Sequence, residues 1–366
     1  MRPVRGMRLL SVLAVGGLVL AAAACGKPPA SSSGGASAGA SAGGGKAAHA
    51  CMVTDIGGIN DRSFNAAAWA GMQAAQKQNS NIKVDYTQSS AEADYGPNLN
   101  GYVQQKCDLI VAVGGLMAKA TTDAATANTS QKFAIVDAKI DSPNVFSMQF
   151  DTAQAAFLAG YLAAGISKTG VVGTYGGLKI PPVTIFMDGF ADGVAYYNKA
   201  KSKNVKVLGW DKTAQNGSFA GSFTDQNGGK RLSDQFVAQN ADVIMPVAGG
   251  TGLGTAAGAQ QSGGKYSVIW VDQDGCVSAA QYCSVFLSTV VKNISDAVRD
   301  AVLAAASGSL QAGGGSTGTL KNNGVQLAPF HDMDSKVPAD LKSELDKLKQ
   351  DVISGTVQVT SPAQPK

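Results

Sequence analysis

Histidine is nearly absent: the 366 residues carry only His49 and His331. A Ser-His-Asp triad or a histidine-based metal centre is therefore poorly supplied. A dominant charge is also missing. Thirty Lys and Arg stand against 26 Asp and Glu, a formal net charge of +4. Three of those cations, Arg2, Arg5 and Arg8, fall in the leader, so 4 − 3 leaves about +1. That balance gives no electrostatic footprint for nucleic acid. Cys-x-x-Cys spacing does not occur, and beyond the first 25 residues no apolar run is long enough to span a bilayer.

What is present begins with that leader. "MRPVRGMR" is a positive n-region, and "LLSVLAVGGLVLAAAA" (9–24) is an apolar run of 16 residues. The run suits a signal-peptide core and is short for a membrane span. It ends at Cys25 after small residues, the pattern of a bacterial lipoprotein signal with Cys25 lipidated. "SSSGGASAGASAGGG" (31–45) cannot bury a core and reads as a flexible tether, 26–48 in all. The expected location is the outer face of the cytoplasmic membrane.

Four cysteines remain: Cys51, Cys107, Cys276 and Cys283. An even count in an oxidising compartment reads as two disulfides, with connectivity open. Cys51 and Cys107 each open a strand-like run, so parallel neighbouring strands would bring them together. Cys276 and Cys283 bracket the short loop "CVSAAQYC".

From residue 50 onward, short β-branched runs alternate with alanine-rich stretches of helical spacing. "CMVTD", "IKVDYTQ", "CDLIVAVGG", "KFAIVDA", "NVFSMQF", "GVVGTYGG", "VKVLGW", "ADVIMPVAGG", "YSVIWVDQD" and "VFLSTV" are the strand candidates. This alternation predicts an α/β protein with parallel sheets flanked by helices. About ten strands exceed one comfortable domain, so two lobes are expected.

Ligands of open parallel sheets bind beyond the carboxyl ends of the strands. Three apolar runs end in aspartate there: Asp55, Asp137 and Asp272. One such Asp is as readily a turn former or helix cap; three facing one crevice suit a hydroxyl-rich ligand or acid-base chemistry. Phe64 and Asn65 open the first helical pattern, where a ring can stack and an amide can read a base edge. Phe223 in "GSFTD" offers a second aromatic, with Phe219 four residues earlier as its competitor. "VAGGTGLG" (247–254) is a glycine-rich strand end whose amides can donate, but it is neither a P-loop nor a dinucleotide fingerprint. Lys292 is a lone candidate cation. "GGSTG" (314–318) matches the Gly-x-Ser-x-Gly elbow by letter around Ser316, yet its setting reads as a loop.

In this order, "VTDIGGINDRSFN", "FAIVDA", "FLAGYLAAGISKTGVVGTYGGLKIPPV", "GFADGV", "GSFTD", "ADVIMPVAGGTGLG", "WVDQD" and "STVVKN" resemble the basic membrane protein family of ABC-transporter substrate-binding lipoproteins. Its best-understood members are purine nucleoside receptors. The resemblance runs from about residue 50 to the C-terminus. It implies a type I periplasmic-binding-protein-like fold with three crossovers, closing on ligand as a hinged trap. Lobe 1 would comprise 49–150 and 285–318, and lobe 2 would comprise 151–284 and 319–366. Asp55 and Asn65 would read the ligand, Phe64 and Phe223 would sandwich a base, and Asp137 would bind the base or hold the site polar. Asp272, assisted by Lys292, would take ribose hydroxyls, and Gly250, Thr251 and Gly252 would add backbone contacts. The implied partners are a nucleoside, an ABC permease with its ATPase, and the membrane through the lipid anchor. No cofactor, metal, nucleic acid or catalysis is implied, and a monomer is expected. A flavin or sugar ligand, a non-transport surface or sensor role, and a nucleoside hydrolase are the competing readings.

Overall fold

The alternation of β-branched and alanine-rich segments resolves into two sheets with helices packed on their faces. The computed structural model describes residues 47–365. The leader, Cys25 and the tether up to residue 46 lie outside the described residues.

The chain runs through β1 (Ala48–Thr54), α1 (Phe64–Gln78), β2 (Ile82–Thr87), α2 (Tyr95–Gln104), β3 (Leu109–Val113), α3 (Ala118–Ala127), β4 (Phe133–Val136) and β5 (Val145–Phe150). It crosses at Asp151 into α4 (Thr152–Ile166), β6 (Val171–Gly176), α5 (Pro181–Lys201), β7 (Lys206–Leu208) and the small hairpin β8 (Trp210–Asp211) and β9 (Asn216–Gly217). Next come α6 (Gln226–Val237), β10 (Val243–Val247), α7 (Gly252–Gln261), β11 (Ser267–Asp272), the one-turn α8 (Gly275–Ser278) and β12 (Phe286–Lys292). It crosses back at Asn293 into α9 (Ile294–Ser307) and β13 (Gly315–Gly318). A third crossing leads to β14 (Val325–Leu327) and α10 (Ala339–Ile353).

The first sheet has the order β13-β5-β4-β3-β1-β2 and is parallel throughout. The second has the order β14-β12-β11-β10-β6-β7, parallel except for the edge strand β14. The central strands "LIVAV", "FAIV" and "VIMPV" are buried along their whole length, as strands covered on both faces must be. The expected α/β fold with two parallel-sheet lobes and three crossovers is what the chain adopts.

Several boundaries differ from expectation. β12 hydrogen-bonds to β11 in the second sheet, so residues 286–292 leave the first lobe and the crossing falls after Lys292, not before Val285. β1 begins at Ala48, inside the expected tether, because pairing with β2 starts at Ala48 and Ile82. Ser316 does not lie in a loop: residues 315–318 extend the first sheet beside β5. An extended strand lacks the sharp turn that a nucleophile elbow requires. The histidines are engaged elsewhere, His49 with Asp85 at 2.6 Å and His331 with Asp274 at 2.7 Å.

Cys51 pairs with Cys107 and Cys276 with Cys283. β1 and β3 are parallel neighbours, which puts the first two thiols side by side. Closing that 56-position span stabilises the fold by about 4 kcal/mol in the chain-entropy account.

α4 and α5 cross in close backbone contact. α4 is almost wholly buried, and its backbone lies directly on that of α5. A Cβ added to Gly160 would come within 2.0 Å of the Phe190 carbonyl oxygen, and one added to Gly193 within 2.0 Å of the Phe157 carbonyl oxygen. Only glycine permits that approach. We expect Gly160→Ala to force the helices apart and to destabilise the protein by about 1–3 kcal/mol, read by denaturant unfolding. An unchanged midpoint would mean that the helix contact yields without strain.

Candidate functional site

The carboxyl ends of β1, β3 and β4 face those of β6, β10 and β11 across a cavity. Its walls include Asp55, Asp61, Phe64, Asn65 and Asp137 from the first lobe and Phe186, Phe223, Gly249, Asp272 and Lys292 from the second. Seven of the ten predicted ligand residues therefore converge: Asp55, Phe64, Asn65, Asp137, Phe223, Asp272 and Lys292. Phe223, not Phe219, is the aromatic of its loop at the cavity; Phe219 packs edge-on against Trp210 at 6.0 Å.

Gly250, Thr251 and Gly252 are the three that the described lining does not include. The Thr251 amide donates to the carbonyls of Phe223 and Ala248 at 3.0 and 3.1 Å. Gly252 lies against the Trp270 ring, where an added Cβ would sit 2.9 Å from an indole carbon. The turn reaches the cavity one residue earlier, at Gly249, whose φ is +51°.

Local geometry explains each placement. Asp55 follows β1 directly; its Oδ1 accepts from the Gly57 amide at 2.9 Å and from Asn65 Nδ2 at 2.8 Å. Its other oxygen sits so close to Gly114 that a Cβ there would lie 2.6 Å away, and Gly114 has φ +119°. Glycine is thus required at the end of β3 on both counts. Asn65 Nδ2 donates to Asp55, while its Oδ1 is buried with no hydrogen-bond partner among the described residues. Such an acceptor costs free energy until a ligand donates to it.

Asp61 was not identified from the sequence. Its carboxylate accepts from the amides of Ser63, Asn65 and Ala66 at 3.0, 2.8 and 3.0 Å. It caps the first turn of α1, which carries Phe64 and Asn65. An Asp three residues before a helical pattern is a legible cap signal. Phe186, also missed, offers no such signal, since among Val183, Ile185 and Met187 inside α5 an aromatic reads as core.

Asp137 and Asp272 occupy matching positions at the ends of β4 and β11, both in left-handed backbone, φ +65° and +68°. Lys292, at the end of β12, is the one cation among the described residues lining the cavity. Its Nζ lies 2.5 Å from Asp137 Oδ2 and 3.8 Å from Asp272 Oδ1. The rings of Phe64, Phe186 and Phe150 surround that ammonium at 5.0, 5.1 and 5.7 Å from their centroids, within cation–π range.

Burial pushes the Asp55 carboxyl up to about 6, opposed by the hydrogen bonds from Asn65 and Gly57. Burial likewise pushes Asp61 up to about 7 against its three amide donors. Asp137 and Asp272 are raised by burial, which outweighs the attraction of Lys292. Four acidic side chains thus line one cavity, two of them, Asp137 and Asp272, within 4 Å of its one ammonium. The arrangement can accept many hydrogen bonds from a ligand and can stack a flat ring.

A raised carboxyl in the folded state binds protons that the unfolded chain has released. Stability from these groups is complete below about pH 4 and is lost as pH rises through about 6 to 7. Asp55 alone corresponds to about 3 kcal/mol across that window. We expect the ligand-free protein to have a lower denaturation midpoint at pH 7.5 than at pH 5, and Asp55→Asn to flatten the slope. A wild-type midpoint that rises over this range would contradict the assignment.

Residues 48–362 match the family model Bmp, described as ABC transporter substrate-binding protein PnrA-like. The ABC transporter nucleoside-binding protein BmpA of Lactococcus lactis subsp. cremoris is 34% identical over 336 residues, covering 85% of this chain and 89% of that one. Basic membrane protein A of Borreliella burgdorferi is 27% identical, covering 83% and 86%. A solved ABC transporter system solute-binding protein from Aeropyrum pernix K1 superimposes with a TM-score of 0.76 at 25% identity, covering 86% and 94%. The chain belongs to the Bmp family of PnrA-like ABC-transporter substrate-binding proteins.

Proposed function

We propose that this substrate-binding protein captures a nucleoside, purine favoured, between its lobes and delivers it to a permease from a lipid anchor at Cys25. The carrying observation is one cavity that combines two rings, Phe64 and Phe223, with polar side chains that are mostly acceptors. A nucleobase supplies the flat face that two rings can sandwich, and a ribose supplies hydroxyl donors for carboxylates. The unpartnered Asn65 Oδ1 beside Asp55 suits a base edge that donates. Asp137 sits on the same side as a further base contact or as the anchor of Lys292. Asp272 and Lys292 take the ribose end. Gly249, at the cavity wall, assumes the backbone role first expected of residues 250–252. The name of the Lactococcus relative supports a nucleoside ligand, and the signal-like residues 1–25 support the anchor.

Nothing in this reading requires a chemical step. The acidic side chains bind and discriminate, and the ligand leaves unchanged. Incubated nucleoside recovered intact would agree with that reading; free base released in proportion to protein would establish hydrolysis instead.

Two substitutions test the assignment by calorimetry against adenosine, guanosine, inosine, cytidine, uridine, riboflavin and ribose, after ligand is stripped by unfolding and refolding. Phe64→Ala is expected to weaken nucleoside binding by about 1–3 kcal/mol, the scale of one base–aromatic stack. Unchanged affinity in a folded variant would remove the sandwich. Asp272→Ala is expected to weaken nucleosides far more than free bases. Equal losses would move Asp272 away from the ribose.

A further inference from the structure

The five residues 61–65 carry more than the ligand wall. Phe64 and Asn65 face the cavity, whereas Arg62 and Ser63 reach across to the second lobe. The buried Ser63 hydroxyl donates to Asp272 Oδ2, and it lies 3.3 Å from the Val271 carbonyl oxygen. The Ser63 carbonyl accepts from Gln273 Nε2 at 3.0 Å. The Arg62 carbonyl, displayed by a left-handed residue with φ +56°, accepts from Trp270 Nε1 at 3.3 Å. Three side chains of one segment, 270–273, are thus bonded to two consecutive residues of the opposite lobe.

We infer that Ser63 is the positioning residue of an interlobe latch, holding the lobes shut over bound ligand and fixing the rotamer of the Asp272 carboxylate. The geometry argues for it in three ways. Ser63 is fully buried, so lobe separation exposes its hydroxyl and breaks every one of these bonds together. Asp272 lines the cavity and also receives the Ser63 hydroxyl, so occupancy and closure meet in one carboxylate. The loop cannot retreat alone, because the Asp61 carboxylate ties Ser63, Asn65 and Ala66 to one point. Ligand contact on Phe64 and Asn65 therefore draws Ser63 towards Asp272 as the lobes close. Gln273 is outside the described cavity lining, so it affects the latch without touching ligand. The inference rests on the proposed use of the cavity only for the choice of probe ligand.

The test is stopped-flow binding of guanosine to wild type, Ser63→Ala and Gln273→Leu. Interactions made only after encounter change release, not capture. Ser63→Ala is expected to raise koff about tenfold with kon within twofold of wild type, and Gln273→Leu to raise koff about threefold. If Ser63→Ala fails to fold, Gln273→Leu carries the test alone. A koff within twofold of wild type in the folded variants would overturn the latch. A fall in kon that matches the loss of affinity would do the same. Failure of wild type to bind guanosine would count against the nucleoside reading, not the latch. The latch is then read from the radius of gyration of the ligand-free proteins by small-angle scattering. Larger values in both variants support it, and indistinguishable values overturn it.

Discussion

The ion pair between Lys292 and Asp137 is the interaction on which the cavity depends. It joins the end of a second-sheet strand to the end of a first-sheet strand, and both side chains are almost inaccessible to water. Removing two charges from water costs several kcal/mol per ion, and their attraction roughly offsets that cost only when the geometry is good. Such a pair contributes register more than stability. Here the register is that of one lobe against the other, since neither lobe contains both partners. With the ammonium in place, Asp272 at 3.8 Å and the rings of Phe64, Phe186 and Phe150 have a common centre. Without it, Asp137 and Asp272 would face each other as two buried carboxyls with no cation between them.

The fold creates that crowding by repetition. Each lobe ends a central strand in an aspartate with left-handed backbone, a conformation that Asp tolerates better than most residues. The turn aims the side chain over the strand end, where the opposing sheet does the same. Two half-sites of the same design, placed face to face, produce a surplus of acceptors. The single lysine relieves part of it, and below about pH 6 the raised carboxyls Asp55 and Asp61 relieve a further part as bound protons. The rest is available to a ligand that brings donors. The affinity of such a site is set by how much of this acceptor capacity the ligand's donors fill, the unpartnered Asn65 Oδ1 first.

Much of this was legible in the sequence, for identifiable reasons. The period-two segments located ten of the strands, and α1 begins at Phe64, where the first helical pattern opens. The strand-end aspartates were legible because polarity at the end of an apolar run has few structural uses. What was missed follows equally physical lines. The edge strands 315–318 and 325–327 are short, and they pair only because the sheet beside them exists. The assignment of residues 286–292 to the wrong lobe arose because a crossover leaves no mark on periodicity; only the partner strand decides it. Gly249 was not singled out beside residues 250–252 because composition cannot say which residue of a turn faces outward. Ser63 and Gln273 carried no signal at all, because a latch between lobes is a property of the closed pair.

The stretch "GGINDRSFNAAAWAG" (57–71) draws these constraints together. A helix start must satisfy its free amides, and Asp61 does so from outside the helix. That solution leaves Ser63, the usual capping position, with a hydroxyl unused by its own helix. The hydroxyl is then free to bond across the lobes to Asp272. It also fixes the first turn, so that Phe64 and Asn65 project at the cavity and not into the core beneath α1. The small residues that follow, Ala67, Ala68 and Gly71, are buried. They let α1 sit close on α9, where a Cβ at Gly71 would come within 2.4 Å of the Ser295 carbonyl oxygen. The helix that carries the ligand wall is thereby held against the helix that follows Lys292, with Asn293 as the crossing between them. A shift of α1 would therefore be felt at Phe64, at Ser63 and at the Lys292 end of the ion pair together. Recognition and closure share one rigid element, which is why a nine-residue turn can serve both.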